Sequence, residues 1–178
     1  MDISSYSLDF HKHTLSKWAA CRAASQSKNF KFSVELGSEL LILGKKGFQV
    51  SNQDFIDYIK QIENFNSQDD FDSWHHQTIT NMTSGSNKVE NLLNINNKSL
   101  NNYTYGIAAK ILNCYLKVFF LESFGNQEFA DFIHPPVDAI LLKALKKEDK
   151  KLFNFKNPIF TNIGVQKIPT WTRITEDE

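Results

Sequence analysis

Residues Tyr103 to Leu145, YTYGIAAKILNCYLKVFFLESFGNQEFADFIHPPVDAILLKAL, decide how the rest of the chain is read. Ile107, Ala108, Ile111, Leu112, Tyr115, Leu116 and Phe119 recur at the three-and-four spacing of one helix face, which predicts a long, mostly buried helix over 106–120. Lys110 stands in its first turns, one step off that face. A turn around Gly125 and a short apolar segment follow. A second helix is then expected to begin at Pro135-Pro136, because proline fits a first helical turn, where its missing N–H is not needed. Asp138 falls in that first turn. The stretch therefore sets a lysine near the start of a core helix and a carboxylate at the start of the next.

Working outward, the same periodicity predicts an all-α chain. His11 to Ser27 reads as a first helix with Leu15, Trp18, Ala19, Arg22 and Ala23 on one face and Thr14 or Ser16 as its cap. Its small residues Ala19, Ala20, Ala23 and Ala24 suggest close packing of another element. Ser33 to Leu43 follows, with Ser33 as N-cap and Gly44 as its stop. Asn52 to Phe65 reads as an amphipathic surface helix with Phe55, Ile56, Ile59 and Ile62 on one side. Ser67 to Met82 opens on SQDDFD, acidic residues that suit a helix N-terminus. Its His75 and His76 are adjacent, so they point to different faces and do not read as a metal pair. Asn81 to Asn102 reads as polar loops around a short helix near Val89 to Leu93, and Lys151 to Glu178, punctuated by Pro158, Gly164 and Pro169, as an irregular C-terminal tail.

With 178 residues, 41% of them apolar, the chain is long enough for one substantial core, and a single domain over 1–178 is expected. No run of about 18 apolar residues and no apolar leader region is found, so neither a membrane span nor secretion is supported. A cytoplasmic monomer fits best. Cys21 and Cys114 read as buried thiols, the alternatives being a disulfide or a metal pair; no cofactor is called for. The net charge of zero speaks against a nucleic-acid partner, but its distribution is uneven. Asp54, Asp57, Glu63, Asp69, Asp70 and Asp72 cluster early, whereas Lys143, Lys146, Lys147, Lys150, Lys151 and Lys156 cluster late. Either the fold has an acidic and a basic end, or these are unrelated solvated helix faces.

Gly106-Ile-Ala-Ala-Lys110-Ile-Leu-Asn-Cys followed by His134-Pro-Pro-Val-Asp138 resembles the helix–hairpin–helix DNA glycosylases. In that family a glycine-led turn opens a helix carrying a lysine, and a downstream Pro-Val-Asp supplies an aspartate. The resemblance covers about a quarter of the chain. Two departures stand out. Asn101-Asn-Tyr-Thr-Tyr-Gly106 lacks the usual Leu-Pro-Gly-Val-Gly, so the standard backbone grip on phosphate is not carried over. The 28 residues from Lys110 to Asp138 exceed the spacing of many members and are nearer that of archaeal oxoguanine glycosylases. The first helix, the YGIAAK helix and the HPPVD turn are also similar to small bacterial glycosylases of anti-phage defence that act on glucosylated hydroxymethylcytosine.

The resemblance implies a fold of that type, double-stranded phage DNA carrying modified bases as partner, and base release leaving an abasic site. Asp138 would stabilise the positive charge that develops on the sugar as the N-glycosidic bond breaks. Lys110 would attack the same carbon to form a Schiff base, or bind phosphate and hold the flipped nucleotide. Asn102, Tyr105 and Gly106 would border the DNA, and Lys98, Lys143 and Lys146 would meet phosphates. His134, four residues before Asp138, reads most simply as a helix N-cap or turn residue with a route to the site. The bland alternatives are a snorkelling lysine, a dipole-serving aspartate and tryptophans, Trp18, Trp74 and Trp171, used in packing. The competing function is a non-catalytic helical interaction module, an antitoxin-like accessory protein; the 15 phenylalanines exceed what one core needs on that reading.

Overall fold

The computed structural model describes residues 7–25, 33–46, 50–86, 100, 103–136 and 144. They build six α-helices and no strand: α1 (Leu8–Ser25), α2 (Val34–Ile42), α3 (Asn52–Lys60), α4 (Gln68–Ser84), α5 (Tyr105–Phe119) and α6 (Glu128–Asp131), with 3₁₀ turns over Gln61–Asn64 and Leu121–Ser123. The short helix expected near Val89 to Leu93, the helix expected from Pro135-Pro136 onward and the tail after 150 lie outside the described residues.

Helix α5 is the axis of the fold. Gly106, Ile107, Ala108, Ile111, Leu112, Asn113, Tyr115, Leu116 and Phe119 are all buried, and α1, α2 and α4 pack around it, α1 most extensively. The inner face of α1 is made of His13, Ser16, Ala20 and Cys21, and its small side chains allow a close approach. The sequence had suggested that a face with Leu15, Trp18 and Arg22 turns inward. It points out instead: Trp18 is 57% and Leu15 50% exposed, because α5 is reached along the opposite, polar side of the helix. The cap is also different. Ser7 accepts from the Phe10 N–H at 3.3 Å, while Thr14 and Ser16 donate to the carbonyls of Phe10 and Lys12 inside the helix.

A buried polar contact holds α1 to the centre. His13 Nε2 meets Asn52 Oδ1 at 3.1 Å and His13 Nδ1 meets the Tyr115 hydroxyl at 2.8 Å. An amide oxygen can only accept, so Nε2 carries the proton and Tyr115 donates to Nδ1. Rings then run from His13 through Phe55 and Tyr115 to Phe119, Phe120 and Phe129, with centroids 5.0–5.8 Å apart. Phe55, Phe71, Phe119, Phe120 and Phe129 are thus core, and Trp74 packs among Tyr58, Phe65 and Phe71.

Caps set the outer helices. Ser33 accepts from the Leu36 N–H, Ser51 and Asp54 form a reciprocal capping box, and Ser67 accepts from the Asp70 N–H. Four of the early carboxylates serve local purposes: Asp54 in its box, Asp57 bonded to Gln53, Asp69 and Asp70 in the first turn of α4. Gly44 is buried just past α2 because α4 passes close by. A Cβ there would stand 2.7 Å from Thr78 Cγ2 and 3.1 Å from the Leu41 carbonyl oxygen. Thr78 cannot retreat, since it donates to the Trp74 carbonyl and accepts from the Tyr58 hydroxyl. Gly44→Ala is therefore expected to destabilise the fold by about 1–3 kcal/mol, the usual cost of overpacking. A urea midpoint equal to or above that of the unaltered protein would show that α2 and α4 are not so closely packed.

Candidate functional site

Around α5 burial is nearly complete, and the least buried stripe runs through Lys110, Cys114 and Lys117, at the four- and three-residue steps that share one side of a helix. Asn113 lies beside that stripe, one turn beyond Lys110, and is 3% exposed. A polar side chain in such a place has to be hydrogen-bonded. Its Oδ1 accepts from His75 Nε2 at 2.6 Å, and its Nδ2 reaches the Pro135 carbonyl oxygen at 3.5 Å, the long end of the range.

The segment Phe132–Pro136 is held against this side of α5 by the first half of α4. Gln68, Asp72 and His75 recur at steps of four and three, so they share a face. His134 Nε2 stands 3.0 Å from Asp72 Oδ1 and, at a longer 3.3 Å, from Gln68 Nε2. Gln68 Nε2 also meets Asp72 Oδ1 at 2.7 Å and the Phe132 carbonyl at 3.1 Å. The His134 ring also stands edge-on to His75 at 4.8 Å and to Phe71 at 5.1 Å. Beside it lies a cleft of about 310 Å³ lined by Lys117, Leu121, Phe124, Ile133, His134 and Pro135.

Of the residues expected in the site, the structure brings His134 to the side of α5 that carries Lys110, and puts Tyr105 and Gly106 one turn ahead of Lys110. The His134 ring is pinned among Asp72, Phe71 and His75, and the helix it was expected to cap lies outside the described residues. Gly106 does not make the turn. Thr104 caps the helix, accepting from the Ile107 N–H, and Gly106 sits buried within the first turn. Positive φ occurs among the described residues at Gly125, where a turn was expected. The Tyr105 hydroxyl meets His76 Nδ1 at 3.1 Å. Asp138, Lys98, Asn102, Lys143 and Lys146 lie outside the described residues.

His75 and His76 do diverge, one buried against Asn113 and the other exposed at Tyr105. Among the described residues no group of three or more His, Cys, Asp or Glu side chains is spaced to hold a metal ion. Cys21 is buried beside the Val34 carbonyl, and burial pushes its thiol up to about 11; a thiol so protonated is a poor nucleophile. No helix is long and apolar enough to cross a membrane among the described residues. The sequence reading missed Gln68, Asp72, His75 and Asn113. A lone asparagine in an otherwise apolar helix was the available signal, because such a residue demands a partner.

No family model, no curated protein and no solved structure matches this chain.

Burial lowers both inner histidines. His75 is brought down to about 4 by desolvation, against the raising effect of Asn113, and His13 to about 4 by desolvation, against the raising effect of Asn52. Between the ordinary histidine value near 6.5 and pH 4, the unfolded chain binds more protons at these sites than the folded one. Stability must therefore rise with pH across that window, each histidine contributing a slope of at most ~1.4 kcal/mol per pH unit. Urea midpoints taken from pH 7 to 4.5 are expected to fall steadily; a midpoint that holds constant or climbs on acidification would mean that these imidazoles are not buried in the neutral form.

Proposed function

We propose that the protein is a DNA glycosylase with a helix–hairpin–helix type of fold, one that extrudes a modified base, most simply glucosylated hydroxymethylcytosine of phage DNA, and cleaves its N-glycosidic bond. The reading is supported by one observation above the others: the His134-Pro135-Pro136 segment, which leads into Val137 and Asp138, is docked on the side of the central helix that carries Lys110, Asn113 and Lys117. A lysine on a core helix, with the prolines that precede Val137 and Asp138 docked beside it, agrees with what the resemblance requires of its two working residues.

The chemistry follows from charge. As the base departs, the sugar gains oxocarbenium character, and a carboxylate at its face lowers the energy of that state. Asp138 takes this role. The attacking group at the anomeric carbon is either water, which loses a proton and leaves an intact abasic site, or the Lys110 amine, which forms a Schiff base; in both cases the base leaves with the bond pair and is protonated. A duplex base must first leave the stack for a pocket, and the gap it leaves behind must be filled. Tyr105, the Asn102 loop and the lysines at 98, 143 and 146 are the proposed DNA contacts, and no metal or organic cofactor enters the reaction.

A second reading, the non-catalytic helical module, is favoured by the outer face of α1. Leu8, Leu15 and Trp18 are each at least half exposed there, at the seven- and three-residue steps of one stripe, and an apolar stripe of that kind suits a protein partner.

The decisive experiment offers the protein unmodified DNA, DNA with oxidised or alkylated bases, and DNA with glucosylated hydroxymethylcytosine, scoring free base, abasic sites and strand breaks separately. Base release from a modified substrate and little from unmodified DNA is expected, with binding that weakens as salt rises. Asp138→Asn should reduce release roughly a hundredfold or more, the scale of losing one electrostatic stabiliser. Lys110→Ala should abolish borohydride-trapped adducts if the lysine is the nucleophile, and weaken DNA binding if it positions the strand. Undiminished release by folded Asp138→Asn removes that residue from the site. Absence of release from every substrate leaves the helical module as the function.

A further inference from the structure

We propose that Asp72 is a positioning residue that acts through His134 to hold the Pro135–Pro136 turn against α5. The inference rests on the glycosylase reading for its catalytic consequence, but the clamp itself is a property of the fold.

Two consecutive prolines offer carbonyl acceptors and no backbone donor. The turn therefore cannot be tied down by its own N–H groups, and side chains from elsewhere have to fix it. The structure supplies such ties from three side chains. Gln68 donates to the Phe132 carbonyl at 3.1 Å and meets His134 Nε2 at 3.3 Å, Asn113 reaches the Pro135 carbonyl at 3.5 Å, and the Asp72 carboxylate stands 3.0 Å from His134 Nε2. The last is the one that fixes a direction. His134 immediately precedes the prolines, its ring is confined edge-on by Phe71 and His75, and the Asp72 carboxylate sets its remaining rotation. Gln68 in turn fixes the carboxylate at 2.7 Å. Asp72 itself is half-exposed, with 49% of its side chain in solvent, on a helix capped independently by Ser67 and Asp70. Removing it costs α4 little, so a loss of rate on its removal reports the turn and not a collapsed fold.

Asp72→Ala, Asp72→Asn and Gln68→Ala are compared with the unaltered protein in two measurements. The first is hydrogen exchange of a peptide spanning residues 132–141 in the free protein. The second is the single-turnover rate of base release alongside the Kd for the same DNA. The alanine variants are expected to exchange faster in that peptide and to release base about tenfold or more slowly, the scale of a small misplacement of a working group, with Kd within about twofold. Asp72→Asn keeps an oxygen facing His134, so it should restore both readings to within about threefold. Unchanged exchange in the alanine variants, or a change confined to Kd, overturns the proposal. If the unaltered protein releases no base from any substrate, the glycosylase reading falls, while the exchange comparison still decides whether Asp72 holds the turn. Should Asp72→Ala fail to fold, Asp72→Ser, whose side chain is too short to reach His134, carries the same test.

Discussion

A helix that is buried on almost every side imposes its terms on everything around it. Tyr105–Phe119 has apolar residues at most of its positions, so it must be surrounded by other helices, and the remaining polar positions have to be either satisfied inside or collected along one seam. Both happen. Tyr115 and Asn113 turn inward and find histidines, while Lys110, Cys114 and Lys117 line up along the seam. The open seam is thus a consequence of how the core closes, and it is where any chemistry on this helix would have to be done.

The two buried histidines are the means by which the outer helices register on that core. An apolar contact tolerates sliding, whereas a neutral imidazole with a defined tautomer accepts on one nitrogen and donates on the other, and so fixes rotation as well as distance. His13 sets α1 and the start of α3 relative to Tyr115. His75 sets α4 relative to Asn113, and because Asn113 also reaches Pro135, the position of the proline turn depends on the same side chain. The acid sensitivity expected of the fold follows from this use of uncharged histidine, since protonation would put a charge where burial disfavours it.

How much of this was legible beforehand depended on whether a residue's partner is near in sequence. Ser33, the turn at Gly125 and the axis helix could be read within one residue or so, because caps, turns and apolar periodicity are local. The orientation of α1 could not be read. Its inner face is His13, Ser16, Ala20 and Cys21, which periodicity scores below Leu15 and Trp18, and only the arrival of Tyr115, 102 residues away, makes it the buried one. Lys110 and His134 were singled out by motif, but Asp72 and Gln68 were not, since what they hold is 62 to 66 residues distant and half-exposed side chains carry no hydrophobic signature.

The same geometry bears on how a nucleic acid would approach. A helix N-terminus with unsatisfied N–H groups is a common phosphate site, and α4 begins beside the proline turn. That end, however, is already occupied: Ser67 accepts from the Asp70 N–H, and Asp69, Asp70 and Asp72 surround it with carboxylates. Phosphates would be repelled there. On the glycosylase reading, the strand must therefore come in along α5, past Lys110 and Lys117, with the α4 side serving as a support that DNA does not touch. On that reading, a chain of zero net charge would meet a polyanion with Lys110 and Lys117, while Asp69, Asp70 and Asp72 stay on the supporting helix.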